Sequence, residues 1–82
     1  MKEDALIISE IQHYIESSIL DSRIKLDPET NLQKAGVDSF SIVELIIFVQ
    51  NNYNISIPDS QMLPNNFKTI QSMAQLVLKL SE

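Results

Sequence analysis

Cysteine is absent from this chain, which removes disulfides, thiolate metal ligands and cysteine nucleophiles at once and leaves packing to supply stability. Glycine occurs once, at Gly36, so the glycine pattern of a nucleophile elbow cannot be written around any serine. Bases are scarce, six against eleven acids for a formal charge of −5. Such a chain repels phosphate backbones, which argues against nucleic acid and for protein partners. Long apolar runs are missing too. The longest, Leu45 to Val49, is far too short to span a bilayer, and Met1-Lys2-Glu3-Asp4 turns acidic where a signal peptide would turn apolar. A soluble, cytoplasmic, monomeric protein without membrane insertion is expected. At 82 residues the chain has room for one small domain, 1–82, and for no second core.

The apolar residues that are present fall into three blocks. Leu6, Ile7, Ile11, Tyr14, Ile15 and Ile19 recur at three- and four-residue steps and predict an amphipathic helix from Asp4 to Leu20. Ser39 to about Tyr53 is the densest block, and only Glu44 interrupts Ile42 to Val49. Length and capping favour a helix there, and apolar residues on every side predict that it is buried on more than one side or faces something the sequence does not show, a central helix contacting all the others being the plain explanation. Thr69 caps a last helix carrying Ile70, Met73, Ala74, Val77, Leu78 and Leu80 at helical spacing. A long loop, Asp21 to Val37, separates the first two blocks, with Ile24, Leu26, Leu32 and Val37 as apolar anchors. Ile55 and Ile57 run extended before Pro58 and point inward. Asp59 to Phe67 has room for one short helical turn at most, broken by Pro64, with Met62, Leu63 and Phe67 as pegs. The expected fold is all-α: a small irregular four-helix bundle of three main helices and one short helical turn.

The chemistry concentrates where the long loop meets the central helix, at Gly36-Val37-Asp38-Ser39-Phe40-Ser41. Asp and Ser before an apolar run are common N-caps, and Ser41 to Glu44 fits a capping box. A capping segment also holds Ser39 at the surface. Helix N-termini carry unpaired N–H groups and roughly +0.5 of an elementary charge, so a phosphate ester grown on Ser39 is favoured there.

Gly36-Val37-Asp38-Ser39-Phe40 with Val43-Glu44-Leu45, then Ile55-Ser56-Ile57-Pro58-Asp59 and Phe67-Lys68-Thr69-Ile70, resembles the acyl carrier protein family over nearly the whole chain. The resemblance implies that Ser39 carries 4′-phosphopantetheine from coenzyme A, with Asp38 as its motif neighbour. It implies a carrier and not an enzyme: a substrate of a phosphopantetheinyl transferase, of acyl- or aminoacyl-activating ligases, and of synthases or transferases. Phe40, Ser41, Val43 and Glu44 are then candidate contacts for those partners or the arm. Ile42, Ile46, Val49, Met62, Leu63 and Phe67 are candidate linings of an acyl pocket. Carriers of fatty acid synthesis usually place Leu after the serine and acids along the central helix. This chain has Phe40, and Gln50, Asn51 and Asn52 where acids would be, so electrostatic steering at that face is expected to be weak. The longer Met62–Phe67 segment looks more like discrete carriers of amino acids or other specialised acids, favouring a dedicated pathway over bulk fatty acid synthesis. Phe40 is also readable as the filler of a groove.

Three competing readings follow from the same residues. A Ser39–His13–acid triad would make an enzyme, but the sole histidine lies in the first helix. Asp27 and Glu29 have part of a calcium-loop spacing without its remaining ligands, so a solvated loop explains them. The serious rival is an interaction bundle in which Ser39 is never modified, or is phosphorylated.

Overall fold

The three apolar blocks become three helices in the computed structural model, which describes residues 2–19 and 26–81. Helix α1 spans Lys2–Tyr14 and continues into a wider π-helical turn, Ile15–Ile19. It thus starts two residues before the expected Asp4, and its last turn is not α-helical. Ser17 explains part of the change. Its hydroxyl donates to the His13 carbonyl at 2.7 Å, a back-bond that competes with the regular ladder and loosens it. Leu20 and the loop anchor Ile24 lie outside the described residues.

Helix α2 spans Ser39–Tyr53 and α3 spans Ile70–Leu80. Between them come two 3₁₀ turns, Asp59–Gln61 and Pro64–Phe67, where the sequence predicted at most one. Pro64 does not end the helical path here; it opens the second turn, a position that needs no N–H from it. Among the described residues there is no strand.

Helices α1 and α3 pack most closely against each other. The core draws on all three helices: Ile7, Ile11 and Ile15 from α1 and its π-helical turn, then Leu45 and Val49, then Ile70, Met73, Ala74, Leu76 and Val77. Leu26, Leu32 and Val37 are buried as the predicted anchors. From Leu26 on, this connection is held by backbone hydrogen bonds within itself and to the segment before α3 and the start of α3. The Leu32 amide donates to the Lys68 carbonyl at 2.9 Å, the Gln71 amide donates to that of Pro28 at 2.9 Å, and Ala35 closes a turn on Asn31. The Asp27 carboxylate accepts from the Glu29 amide at 2.9 Å, which closes a local turn. Ile57 is buried while Ile55 is only half-buried, so the extended segment faces inward mainly through one residue.

Helices α2 and α3 end on identifiable caps. Thr69 Oγ1 accepts from the Ser72 amide at 3.0 Å, and Ser72 Oγ accepts from the Thr69 amide at 3.1 Å, a reciprocal capping box. Thr69→Ala is expected to cost about 1 kcal/mol, read as a lower urea midpoint with unchanged slope. At the other end of α2, Asn54 adopts φ 53° and ψ 48°, and its N–H donates to the Gln50 carbonyl, a left-handed cap that asparagine tolerates. The Tyr53 hydroxyl donates to Glu10 at 2.6 Å and ties α2 to α1. Burial, and then the Glu10 carboxylate, push this phenol well above its ordinary value.

Of the two expectations for α2, burial by the other helices holds for one side only. Leu45 and Val49 are buried, and the Phe48 ring stacks on Tyr14 with centroids 4.1 Å apart. Phe40, Val43 and Ile47, however, are 78%, 55% and 51% exposed. Their spacing puts them on one face of the helix, which nothing else in the described fold covers.

Candidate functional site

Gly36 sets the site up. It sits at φ 109°, a conformation that glycine reaches without the Cβ clash other residues would meet, and its turn leads through buried Val37 into α2. Asp38 is the N-cap, extended at φ −86° and ψ −179°. Its carboxylate accepts from the Ser41 amide at 2.9 Å, and its carbonyl accepts from the Ile42 amide at 3.0 Å. The proposed Ser41–Glu44 capping box is therefore corrected: the cap is Asp38, three residues earlier, and Ser41 is the third helical residue, its N–H donating to that cap.

The Asp38 carboxyl is held below its ordinary 3.8, chiefly by the Ser41 backbone N–H and then by the Ser41 side chain. A lowered folded-state value means that the cap contributes fully above about 3.8 and is lost as pH falls below it. Asp38→Asn keeps an acceptor without the charge. Its melting temperature is therefore expected to fall less than that of the parent between pH 6 and pH 3, as followed by circular dichroism.

Ser39 is the first residue of α2 and is exposed. Beside it opens a groove of about 560 Å³. Val37, Asp38, Ser39, Ile42 and Ile46 form one wall, and Met62, Leu63, Pro64, Asn65, Phe67 and Lys68 form the other, with Asn31 and Gln33 at the loop end. Five of the six candidate pocket residues thus meet in one place. Val49 does not; it is 2% exposed and packs into the core, because it lies on the inner side of α2 with Leu45. Met62 and Leu63 are not buried pegs but 40% and 52% exposed rims of the groove, whereas Phe67 is buried and serves both core and wall. Phe40 fills no groove, since it stands in solvent. Ser41 is half-buried and Glu44 exposed.

The polar residues of the groove, Asn31, Gln33, Asn65 and Lys68, were not legible in the sequence, because single polar residues in loops and turns carry no periodic signal. Ile47 was not singled out either, although the spacing from Phe40 through Val43 was present. His13 is exposed and lines a different groove, with Glu10, Tyr14 and Phe48, which shares no residue with that of Ser39. No three histidine, aspartate or glutamate side chains among the described residues form a group able to hold a metal ion.

The family described as "Phosphopantetheine attachment site" matches residues 8–77. The chain belongs to this family of phosphopantetheine-binding carrier proteins. Members carry 4′-phosphopantetheine covalently, and when bound this group supplies a thiol on a flexible arm for acyl groups held as thioesters. The residues present suit such a group: an uncovered hydroxyl at the start of a capped helix, opening onto a groove.

Relatives of the carrier protein point the same way. It is 34% identical over 77 residues to a Serratia protein described as "Probable acyl carrier protein PigG", covering 92% of this chain and 88% of that one. It is 22% identical over 72 residues to Aminoacyl carrier protein 2 of Bradyrhizobium diazoefficiens, covering 88% of this chain and 79% of the relative. A solved chain from the crystal structure of Bradyrhizobium japonicum glycine:[carrier protein] ligase complexed with glycylated carrier protein shares the fold. Its TM-score is 0.73 at 21% identity, with 93% of this chain and 99% of that one covered.

Proposed function

We propose that Ser39 is the attachment residue, and that the holo carrier is loaded by an acyl- or aminoacyl-activating ligase and unloaded by a synthase or transferase of a dedicated pathway. The observation that carries this reading is the position of Ser39: exposed, first in α2, behind the Asp38 cap and at the mouth of the groove. The chain is then a substrate and not a catalyst. Attachment needs a base and a metal that the modifying transferase brings. The names of its Bradyrhizobium relatives support amino acids as cargo, and the Serratia relative supports other acyl groups. Phe40, Ser41, Val43 and Glu44 lie beside or just beyond Ser39 on α2, which supports their role as partner contacts. No helix among the described residues is long and apolar enough to cross a membrane, and the proposed setting is the cytoplasm, as a monomeric single carrier domain over 1–82.

The test is an intact mass before and after incubation with coenzyme A and a broad-specificity phosphopantetheinyl transferase. Gain of one phosphopantetheinyl group is expected; a folded chain that gains none would return the weight to an unmodified interaction module. Presenting the holo form to glycine- and fatty-acid-activating ligases, with ATP, then separates the cargo classes.

A further inference from the structure

Two further grooves lie along the seam between α1 and α2, and the Tyr14–Phe48 stack lines both of them. The rings are 4.1 Å apart at their centroids and 15° from parallel, and both are only half-buried. A stacked pair spends one face of each ring on the other, so the outward faces and the ring edges remain for the grooves. One groove, of about 370 Å³, adds Glu44 and Asn51 to the rings. The other, of about 540 Å³, adds Glu10, His13 and three serines. Asn52 lines both.

Each groove thus pairs an aromatic surface with one carboxylate, and among the described residues neither has a lysine or an arginine in its lining. Helix α1 itself carries three acids and one lysine, and eight of the eleven acids of the chain precede Ser39, so the field on this side favours a cation. The Glu10 carboxylate is also held in place. The Tyr53 hydroxyl donates to its Oε1 at 2.6 Å, so a guest meets a charge already oriented, at a lower cost of ordering. An aliphatic guest would strip water from the carboxylates and leave them unpaired, which is costly. A lysine ammonium is a compact, strongly hydrated charge and gains little from the rings. A guanidinium is planar, lies on aromatic faces and forks onto a carboxylate, so it uses both components at once.

The seam also faces away from the candidate attachment site. Phe48 lies two residues past Ile46, roughly 200° further round α2, and neither seam groove shares a residue with the groove beside Ser39. We infer that this seam is a second docking surface, for an arginine presented by a basic partner protein, and that such a partner holds the carrier while Ser39 stays open to an enzyme. The guanidinium lies against the Tyr14–Phe48 pair with Glu10 as its counter-charge. Docking of this kind holds for the unmodified chain as well, since it draws on no residue of the attachment site.

The probe is the peptide acetyl-Gly-Arg-Gly-amide, titrated at low salt into ¹⁵N-labelled apo protein, beside the same peptide with lysine or with citrulline, the uncharged isostere of arginine. Shifts of the His13, Tyr14, Phe48 and Asn52 amides are expected with arginine, with affinity about threefold above that of the lysine peptide, and no shifts are expected with citrulline. Glu10→Gln, which keeps an acceptor for Tyr53, weakens arginine binding about threefold, whereas Asp59→Asn, at an exposed acid outside the seam, leaves it unchanged. Phe48→Leu, checked for fold by circular dichroism, removes the preference for arginine over lysine. Equal binding of the arginine and lysine peptides by the parent, or shifts spread equally to Glu29 and Asp59, would mean general attraction to an acidic surface and overturns the seat. Shifts centred on Ile42 and Leu63 overturn it too, because they place the cation in the groove beside Ser39. So does the absence of any shift up to the solubility of the peptide.

Discussion

Ser39→Ala is expected to abolish phosphopantetheinylation completely, with no mass gain after prolonged incubation with transferase and coenzyme A. The substitution removes the only atom to which the group is proposed to bond. It does so at an exposed position whose side chain is not the helix cap, because Asp38 supplies that acceptor. Stability should therefore change by no more than about 0.5 kcal/mol, so that loss of loading cannot be assigned to unfolding. Modification that persists in this variant would move the attachment to another hydroxyl and dismantle the proposed site.

Val43→Asp is expected to lower kcat/KM for the modifying transferase or the loading ligase by about thirtyfold, the effect of losing roughly 2 kcal/mol at a central interface position. Val43 sits between Phe40 and Ile47 on the uncovered face of α2, one turn beyond Ser39. A carboxylate there would have to be desolvated against an apolar partner surface. Leu6→Asp is the control: Leu6 is 59% exposed but belongs to α1 and should leave the rate unchanged. The same face carries one charge among Ser39 to Asn54, that of Glu44. Raising salt should therefore alter kcat/KM by less than about twofold. A steep salt dependence together with an indifferent Val43→Asp would place recognition elsewhere, on the acid-rich residues before Ser39.

Much of this arrangement was legible in the chain. Three helices, the loop anchors Leu26, Leu32 and Val37, and the Thr69 cap could be read from periodicity and capping chemistry, because each signal is local. The extent of α2, Ser39 to Tyr53, was readable as well, whereas its cap was not, because Asp38, Ser39 and Ser41 all have side chains able to cap a helix and only the backbone decides that Asp38 does. What could not be read was the direction each face of α2 takes. Leu45, Val49, Val43 and Ile47 are all apolar, and only the placement of α1 and α3 decides that the first two are buried and the last two are not. Val49 was misassigned to the pocket for that reason. Asn31, Gln33 and Asn65 escaped notice because they share a groove only after distant segments have met.

That meeting has a kinetic side. The hydrogen bonds from Leu32 to Lys68 and from Gln71 to Pro28 join segments on opposite sides of α2 in sequence, so closing them encircles the whole of that helix and requires a large loop-closure step. The Ser39 hydroxyl needs only its local turn, whereas the groove beside it exists only once the chain has closed on itself. Hydrogen exchange at the Leu32 and Gln71 amides should accordingly follow global opening and not local fraying. A modifying enzyme that needed the groove as well as the serine would thereby act on the finished fold and pass over the nascent chain.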